Sequence, residues 1–214
     1  MLFRSQGGAT IRALAGKGFT LRALTRDPNS DKAKAVARDT GAELVKVEMD
    51  DEASVREALK GAWGAYAVQN TWIAGVEGEE AQGHRFAKVA REVGVQHYVY
   101  ASVASADRQT GIPHFDNKAR VEQTVRTAGF PSYAIIRPVF FMENLVSPWF
   151  LNGDKLVTAM DPNTVLQMIA VKDIGAYGAL AFTQAERFKN LELDIAGDAV
   201  TMPQAAAVLT RAYV

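Results

Sequence analysis

Six short apolar or β-branched runs, set apart by stretches with helical spacing, limit what this chain can fold into more than any other feature. Residues 19–25, 43–47, 62–68, 97–101, 133–137 and 191–196 read as strands. Residues 9–15, 31–40, 54–60, 79–93 and 115–128 space their apolar side chains as helices do. Strand and helix alternation with short connections predicts parallel βαβ units in an α/β, doubly wound parallel sheet. Several boundaries carry their own signals. Gly41 and Gly94 follow helices as left-handed caps, Asp51 with Ser54 opens the third helix, and Pro131 blocks continuation of the fifth.

Residues 139–170 lose the alternation and collect Pro148, Gly153, Pro162 and large aromatics, which predicts loops covering a site. The expected division is a dinucleotide-binding unit over 1–138, then the site-covering loops and a partial substrate or partner region over 139–214. The start is unusual for such a fold. A dinucleotide fold opens with a buried strand and a glycine-rich turn, and that strand lies at the sheet centre. Here Gln6-Gly7-Gly8-Ala9-Thr10-Ile11 already reads as the end of the turn, with only residues 1–5 before it. The expectation is a sheet lacking its first strand, through truncation or a replaced leader, with flanking strands about 9–10 Å apart, twice the normal spacing. Residues 200–214 likewise read as a region that has not finished.

Twenty-four basic and 24 acidic residues cancel, so no global field steers the chain toward nucleic acid or an anionic membrane. No apolar run approaches the roughly 20 residues of a membrane helix, and residues 1–5 are too short for a secretory signal. Cytoplasm is the expected location. Cysteine is absent, which removes disulfides, thiol nucleophiles and thiolate metal ligands. Histidines at 84, 97 and 114 lack metal-ligand spacing, so no metal is expected.

Candidate binding residues cluster after the predicted strands. Gly7 and Gly8 lead into a helix whose N-terminus offers free N–H donors to a pyrophosphate. Arg26 stands where an adenosine ribose is read, and an Arg there accommodates the 2′-phosphate of NADP, although Asp27 beside it points the other way. Glu48 and Met49 end the next strand, where an adenine can rest, or form a solvated helix start. Gln69, Asn70 and Thr71 follow an apolar strand abruptly, as crevice residues do.

His114 and Lys118 share a helical face at i and i+4. A Lys there can hold nicotinamide-ribose hydroxyls, and a His near neutral pKa can supply a proton. Phe140 and Phe141 can stack on the nicotinamide ring while Asn144 bonds its amide, or the two aromatics can be core packing. Ser102 follows a strand where reductases keep a hydroxyl, but a turn serine fits as well.

These segments together resemble the NmrA-like family, atypical members of the short-chain dehydrogenase/reductase superfamily. The likeness runs through Gln6–Thr10, 22–28, 67–72, 111–118, 137–145 and 167–175. It implies a Rossmann-type domain binding NADP(H), with Gly7 as the third glycine of the turn, Arg26 at the 2′-phosphate and Lys118 at the active-site lysine. It also implies that residues 140–144 form the nicotinamide-side loop. His114 lies where typical superfamily members carry a catalytic Tyr, a departure that agrees with relatives that sense the cofactor without turning it over. Three readings follow: an NADP(H)-dependent redox sensor acting on a regulatory partner protein, an NAD(P)H-dependent reductase of quinone-like or conjugated carbonyl substrates, and an inert fragment of either.

Overall fold

The computed structural model describes residues 5–213. The chain runs through α1 (Ser5–Leu14), β1 (Arg22–Thr25), α2 (Asp31–Thr40), β2 (Glu43–Lys46), α3 (Glu52–Leu59), β3 (Gly64–Ala67) and α4 (Thr71–Glu92). It continues through β4 (His97–Ala101), α5 (Pro113–Thr127), β5 (Ser132–Pro138) and β6 (Phe140–Phe141). Then come β7 (Leu151–Asn152), β8 (Lys155–Leu156), β9 (Leu166–Ile169), α6 (Val171–Thr183), α7 (Ala185–Phe188), β10 (Leu191–Ile195), β11 (Asp198–Val200) and α8 (Met202–Tyr213).

Local chemistry sets most of these ends. Ser30 accepts a bond from the Ala33 amide to open α2, and Gly41 closes it at φ 69° with its N–H on the Ala37 carbonyl. Asp51 caps α3 through the Ala53 amide, as its position predicts. All five residues of β4 are buried, as a strand covered on both faces requires.

The main sheet has the order β10-β5-β4-β3, with every pair parallel. A separate parallel pair, β1 with β2, lies outside that ladder. Among the described residues β1 pairs only with β2 and β3 only with β4, so each keeps one edge without a ladder partner. This is the expected parallel α/β sheet, with no strand between β1 and β3 among the described residues. Of residues 1–5, read as a truncated start or a replaced leader, residues 1–4 lie outside the described residues. One apolar core still spans both sheets: Leu24 and Val45 from the small pair pack with Val55, Ala65, Ala67 and Phe86.

On the opposite face α1 lies against α6 at very close range. A Cβ on Gly175 would come within 2.6 Å of the Ala9 backbone, and one on Gly178 within 2.5 Å of Thr10 Oγ1. Only hydrogen at those positions lets the helices meet. Gly175→Ala is therefore expected to overpack the contact and cost about 1–3 kcal/mol. Thermal unfolding followed by circular dichroism should show the midpoint falling by roughly 2–4 °C for each kcal/mol.

The sequence pattern needs two corrections. α4 starts at Thr71 instead of residue 79, with Gly75 at φ 75° and ψ 172° breaking it near the start. The expectation of loops over 139–170 is only partly met. β6 pairs parallel with β9, β9 pairs antiparallel with β11, and β7 with β8 form a hairpin. Leu145, Met168, Met202 and Ala205 bury one another there, with Phe140 and Leu209 packed against them. Residues on both sides of 138 share core: β10 pairs with β5, and Ile195 packs in one cluster with Val99 and Ile136. No helix among the described residues is long and apolar enough to cross a membrane.

Candidate functional site

Because β3, β4 and β5 are parallel, their C-terminal ends share one edge of the sheet, and α4 begins at that edge. Ligands of open α/β sheets bind in this crevice. Gln69, Asn70 and Thr71 follow β3 there, Ser102 follows β4, and the 140–144 turn follows β5. The Ser102 amide donates to the Ile136 carbonyl at 2.8 Å and that of Ala104 to Pro138 at 3.0 Å, which pins the loop after β4.

Asn70 caps α4, its Oδ1 accepting the Trp72 amide at 2.9 Å. Gln69 is buried, and neither atom of its amide finds a hydrogen-bond partner among the described residues. Ser102 Oγ and Asn117 Oδ1 share that condition. A buried polar atom left unpaired costs about 1–3 kcal/mol, so such atoms mark places where a ligand or water completes the bonding. Their position after β3, after β4 and on α5 fits a polar ligand laid along the strand ends.

Gly7 and Gly8 depart from the expected turn, because they lie within the first turns of α1 and neither has a positive φ. A Cβ on Gly7 would sit 3.7 Å from Val68 Cγ1, so this helix start faces the end of β3. Arg26 is exposed just past β1. Asp27 is occupied by its own turn: Oδ1 accepts the Asn29 amide at 2.9 Å and the carbonyl accepts Ser30 Oγ at 2.9 Å. Arg26 and Asp27 are thus both exposed at this strand end, and one oxygen of the Asp27 carboxylate is engaged in its own turn. Glu48 is exposed and 3.8 Å from Lys46, while Met49 packs against the core and its carbonyl accepts Arg85 at 2.8 Å.

His114 lies in the first turn of α5, its ring 6.4 Å from Trp72 and 4.7 Å from Phe115. Lys118, one turn on, donates to Glu79 Oε1 at 2.7 Å, with Nζ 5.8 Å from the Tyr100 ring centre. Burial pushes the Glu79 carboxyl up, but Lys118, Thr71 and Asn117 together outweigh it and hold the group below its ordinary value. Tyr100 is pushed well above its ordinary value, first by burial and then by the Glu79 charge. Glu79 was missed in the sequence. Its signal was a carboxylate on the face of α4 that also buries Gly83, Phe86 and Ala90.

Phe140 and Phe141 are engaged in packing: Phe140 meets Phe150 edge-on at 5.1 Å, and Phe141 packs on the core of α6. The Asn144 carbonyl accepts Ser147 Oγ at 2.6 Å, and Glu143 Oε1 accepts the Val171 amide at 2.8 Å to open α6.

A family model described as the NmrA-like family matches residues 5–213. An NmrA-like family domain-containing oxidoreductase, malD of Malbranchea aurantiaca, is 34% identical over a match that covers 68% of this chain and 50% of that protein. An NmrA-like family domain-containing protein of Dictyostelium discoideum is 26% identical over a match that covers 96% of this chain and 70% of its own length. The matched region thus spans about half the length of the Malbranchea relative. Among solved structures, the negative transcriptional regulator NmrA in complex with NAD superposes with a TM-score of 0.84 at 19% identity, over 99% of this chain and 69% of that one. An NADPH-dependent quinone oxidoreductase of Escherichia coli, complexed with NADPH, gives 0.82 at 23% identity, over 99% and 73%. At these identities the superpositions establish the fold.

Proposed function

This chain belongs to the NmrA-like family, and on that premise we propose that it binds a nicotinamide dinucleotide, NADP(H) in preference to NAD(H), as a redox sensor. In this reading residues up to 138 hold the dinucleotide, and 139–214 shape the side that meets a regulatory partner or substrate. Gly7 and Gly8 lie at the pyrophosphate and Arg26 at the 2′-phosphate. Glu48 and Met49 flank the adenine, and Gln69, Asn70 and Thr71 line the middle of the crevice. Lys118 holds the nicotinamide ribose, with Phe140, Phe141 and Asn144 beyond it.

The observation that carries the sensor reading is the state of the groups around Lys118. Its ammonium is bonded to a buried carboxylate, and the phenol beside it is fully buried with its pKa driven far from neutrality. Such a site can grip a cofactor while offering little acid–base chemistry at pH 7. The alternative is an NAD(P)H-dependent reductase of quinone-like or conjugated carbonyl substrates. There Lys118 and His114 would be catalytic, with the cofactor supplying hydride and His114 or water the proton. It is favoured by the oxidoreductase names of the relatives and by the exposed Trp72 and Trp149 indoles, 65% and 80% accessible.

Titration with NADPH, followed by nicotinamide fluorescence and compared with NADH, tests the shared premise. Saturable binding that favours NADPH is expected, and its absence would sink both readings. Arg26→Ala is expected to weaken NADPH about 10-fold or more while leaving NADH unchanged, as loss of a charged hydrogen bond worth roughly 1.5–3 kcal/mol requires. Oxidation of NADPH over a quinone panel then separates them: no turnover supports the sensor, and steady turnover that Lys118→Ala abolishes supports the reductase.

A further inference from the structure

We infer that Glu79 is the positioning residue of this site, holding Lys118 in place for the dinucleotide and tying it to the turn that opens α4. The inference rests on the dinucleotide reading and deepens it. Glu79 sits two turns into α4 and is 1% exposed. A carboxylate so deeply buried needs charged and hydrogen-bonded partners, or its desolvation would be prohibitive. It has three. Lys118 donates to one oxygen at 2.7 Å, while the other accepts Asn117 Nδ2 at 2.9 Å and the Thr71 hydroxyl.

The backbone is shaped to allow this. Gly75, at φ 75° and ψ 172°, turns the chain between Thr71 and Glu79, which brings the Thr71 hydroxyl back to a side chain eight residues later. Just past the break, the Val76 carbonyl accepts a second bond from Asn117 Nδ2, at 3.0 Å. Asn117 and Lys118, adjacent on α5, thus hold the part of α4 that follows the kink, and Glu79 alone reaches back across it to Thr71.

Lysine has three donors on a flexible stem and loses considerable entropy when fixed. With one donor committed to Glu79, the ammonium is held over the Tyr100 ring before any ligand arrives, and two donors remain for ribose hydroxyls. The side chain is preorganised, which improves affinity by cutting the ordering cost of binding. Because Glu79 also accepts Thr71, the position of Lys118 is set together with the segment carrying Asn70 and Trp72.

The test is a double-mutant cycle on NADP⁺ affinity, measured by calorimetry, across wild type, Glu79→Gln, Lys118→Met and the double variant. Glutamine keeps an oxygen for Thr71 but loses the charge that holds Lys118. If Glu79 acts through Lys118, Glu79→Gln weakens NADP⁺ about 10-fold in the wild-type background and less than 2-fold in the Lys118→Met background. Equal effects in both backgrounds would reduce Glu79 to a packing residue and overturn the inference while leaving the dinucleotide reading intact. Wild type that does not bind NADP⁺ would remove both. Should Glu79→Gln fail to fold, Glu79→Asp takes its place. Its shortened carboxylate loses reach to Lys118, and the same non-additivity decides. The intrinsic fluorescence of Trp72, isolated by Trp63→Phe and Trp149→Phe, supplies a second reading. NADP⁺ is expected to change it in the otherwise wild-type protein and not in Glu79→Gln, and a change that persists unaltered counts against the tie to the turn.

Discussion

Arg137→Met is expected to destabilise the fold by about 3–5 kcal/mol, the loss that follows when one partner of a buried ion pair is removed. Arg137 is 7% exposed at its side chain, and its guanidinium meets both oxygens of the fully buried Glu122, at 2.7 and 2.6 Å, and Glu192 at 2.6 Å. Arg126 closes the network, donating to Glu122 at 2.7 Å and to Glu192 at 2.6 and 2.7 Å. The group joins α5, β5 and β10 into one unit. Methionine would leave Glu122 in the interior with only Arg126 to answer it.

Chemical denaturation should show the midpoint falling with an unchanged slope. A double change, Arg137→Met with Glu122→Leu, should recover much of the loss, because it removes the buried charge along with its partner. Acid acts on the same network. The Glu192 carboxyl is held below its ordinary value by hydrogen bonds from Arg126, against the opposing effect of burial. A carboxyl lowered on folding stabilises the fold fully above its unfolded pKa, about 4.3, and loses that contribution as pH falls through the folded value. Wild type should therefore lose stability below about pH 4.

Lys118→Met is the second large effect. The thioether is of similar length but donates nothing, so NADPH affinity is expected to fall about 10- to 100-fold, the value of one charged hydrogen bond of roughly 1.5–3 kcal/mol. The substitution also strands Glu79, whose depressed pKa depends on Lys118. Its carboxyl should then titrate upward, and the variant should melt lower at pH 7 than at pH 5, the reverse of the acid trend in wild type. Calorimetric titration and paired melting curves measure both consequences. A variant that binds NADPH as wild type does would remove Lys118 from the site.

Much of this architecture was readable beforehand where local chemistry decides it. The α2 bounds fall at 31–40, as read, because Ser30 and Gly41 fix them. β4 occupies 97–101, as read, because a strand buried on both faces is a continuous apolar run. The start of α4 was not readable from periodicity: Trp72 and Ile73 are exposed, and Gly75 interrupts the stripe, so only the Asn70 cap signalled the helix. β6 through β8 are two residues each, too short for any alternation, and exist because a pairing partner holds them.

At the site, residues that follow strands were legible because chain order places them at the crevice. The partnership of Lys118 with Glu79 was not, since it joins positions 39 apart on different helices. Phe140 and Phe141 look able to stack on a ligand, but no sequence pattern separates that from the packing they display, Phe140 on the Phe150 ring and Phe141 on the apolar core.

Among the described residues the facing edges of β1 and β3 have no ladder partner, and this carries a mechanical consequence. Where a backbone ladder would make neighbouring strands open together, these two sheets are joined by side-chain contacts of Leu24 and Val45 and by the Arg22 guanidinium, which donates to the Lys60 carbonyl at 2.7 Å. Side-chain contacts slide and separate without breaking a row of hydrogen bonds, so the β1–α2–β2 segment is expected to open at lower free energy than the four-stranded sheet, which amide hydrogen exchange would show as weaker protection. Arg26 rides on that unit, while Lys118 rides on the other. A dinucleotide reaching from one to the other would act as a clasp, restoring through a small molecule the continuity that the backbone leaves out.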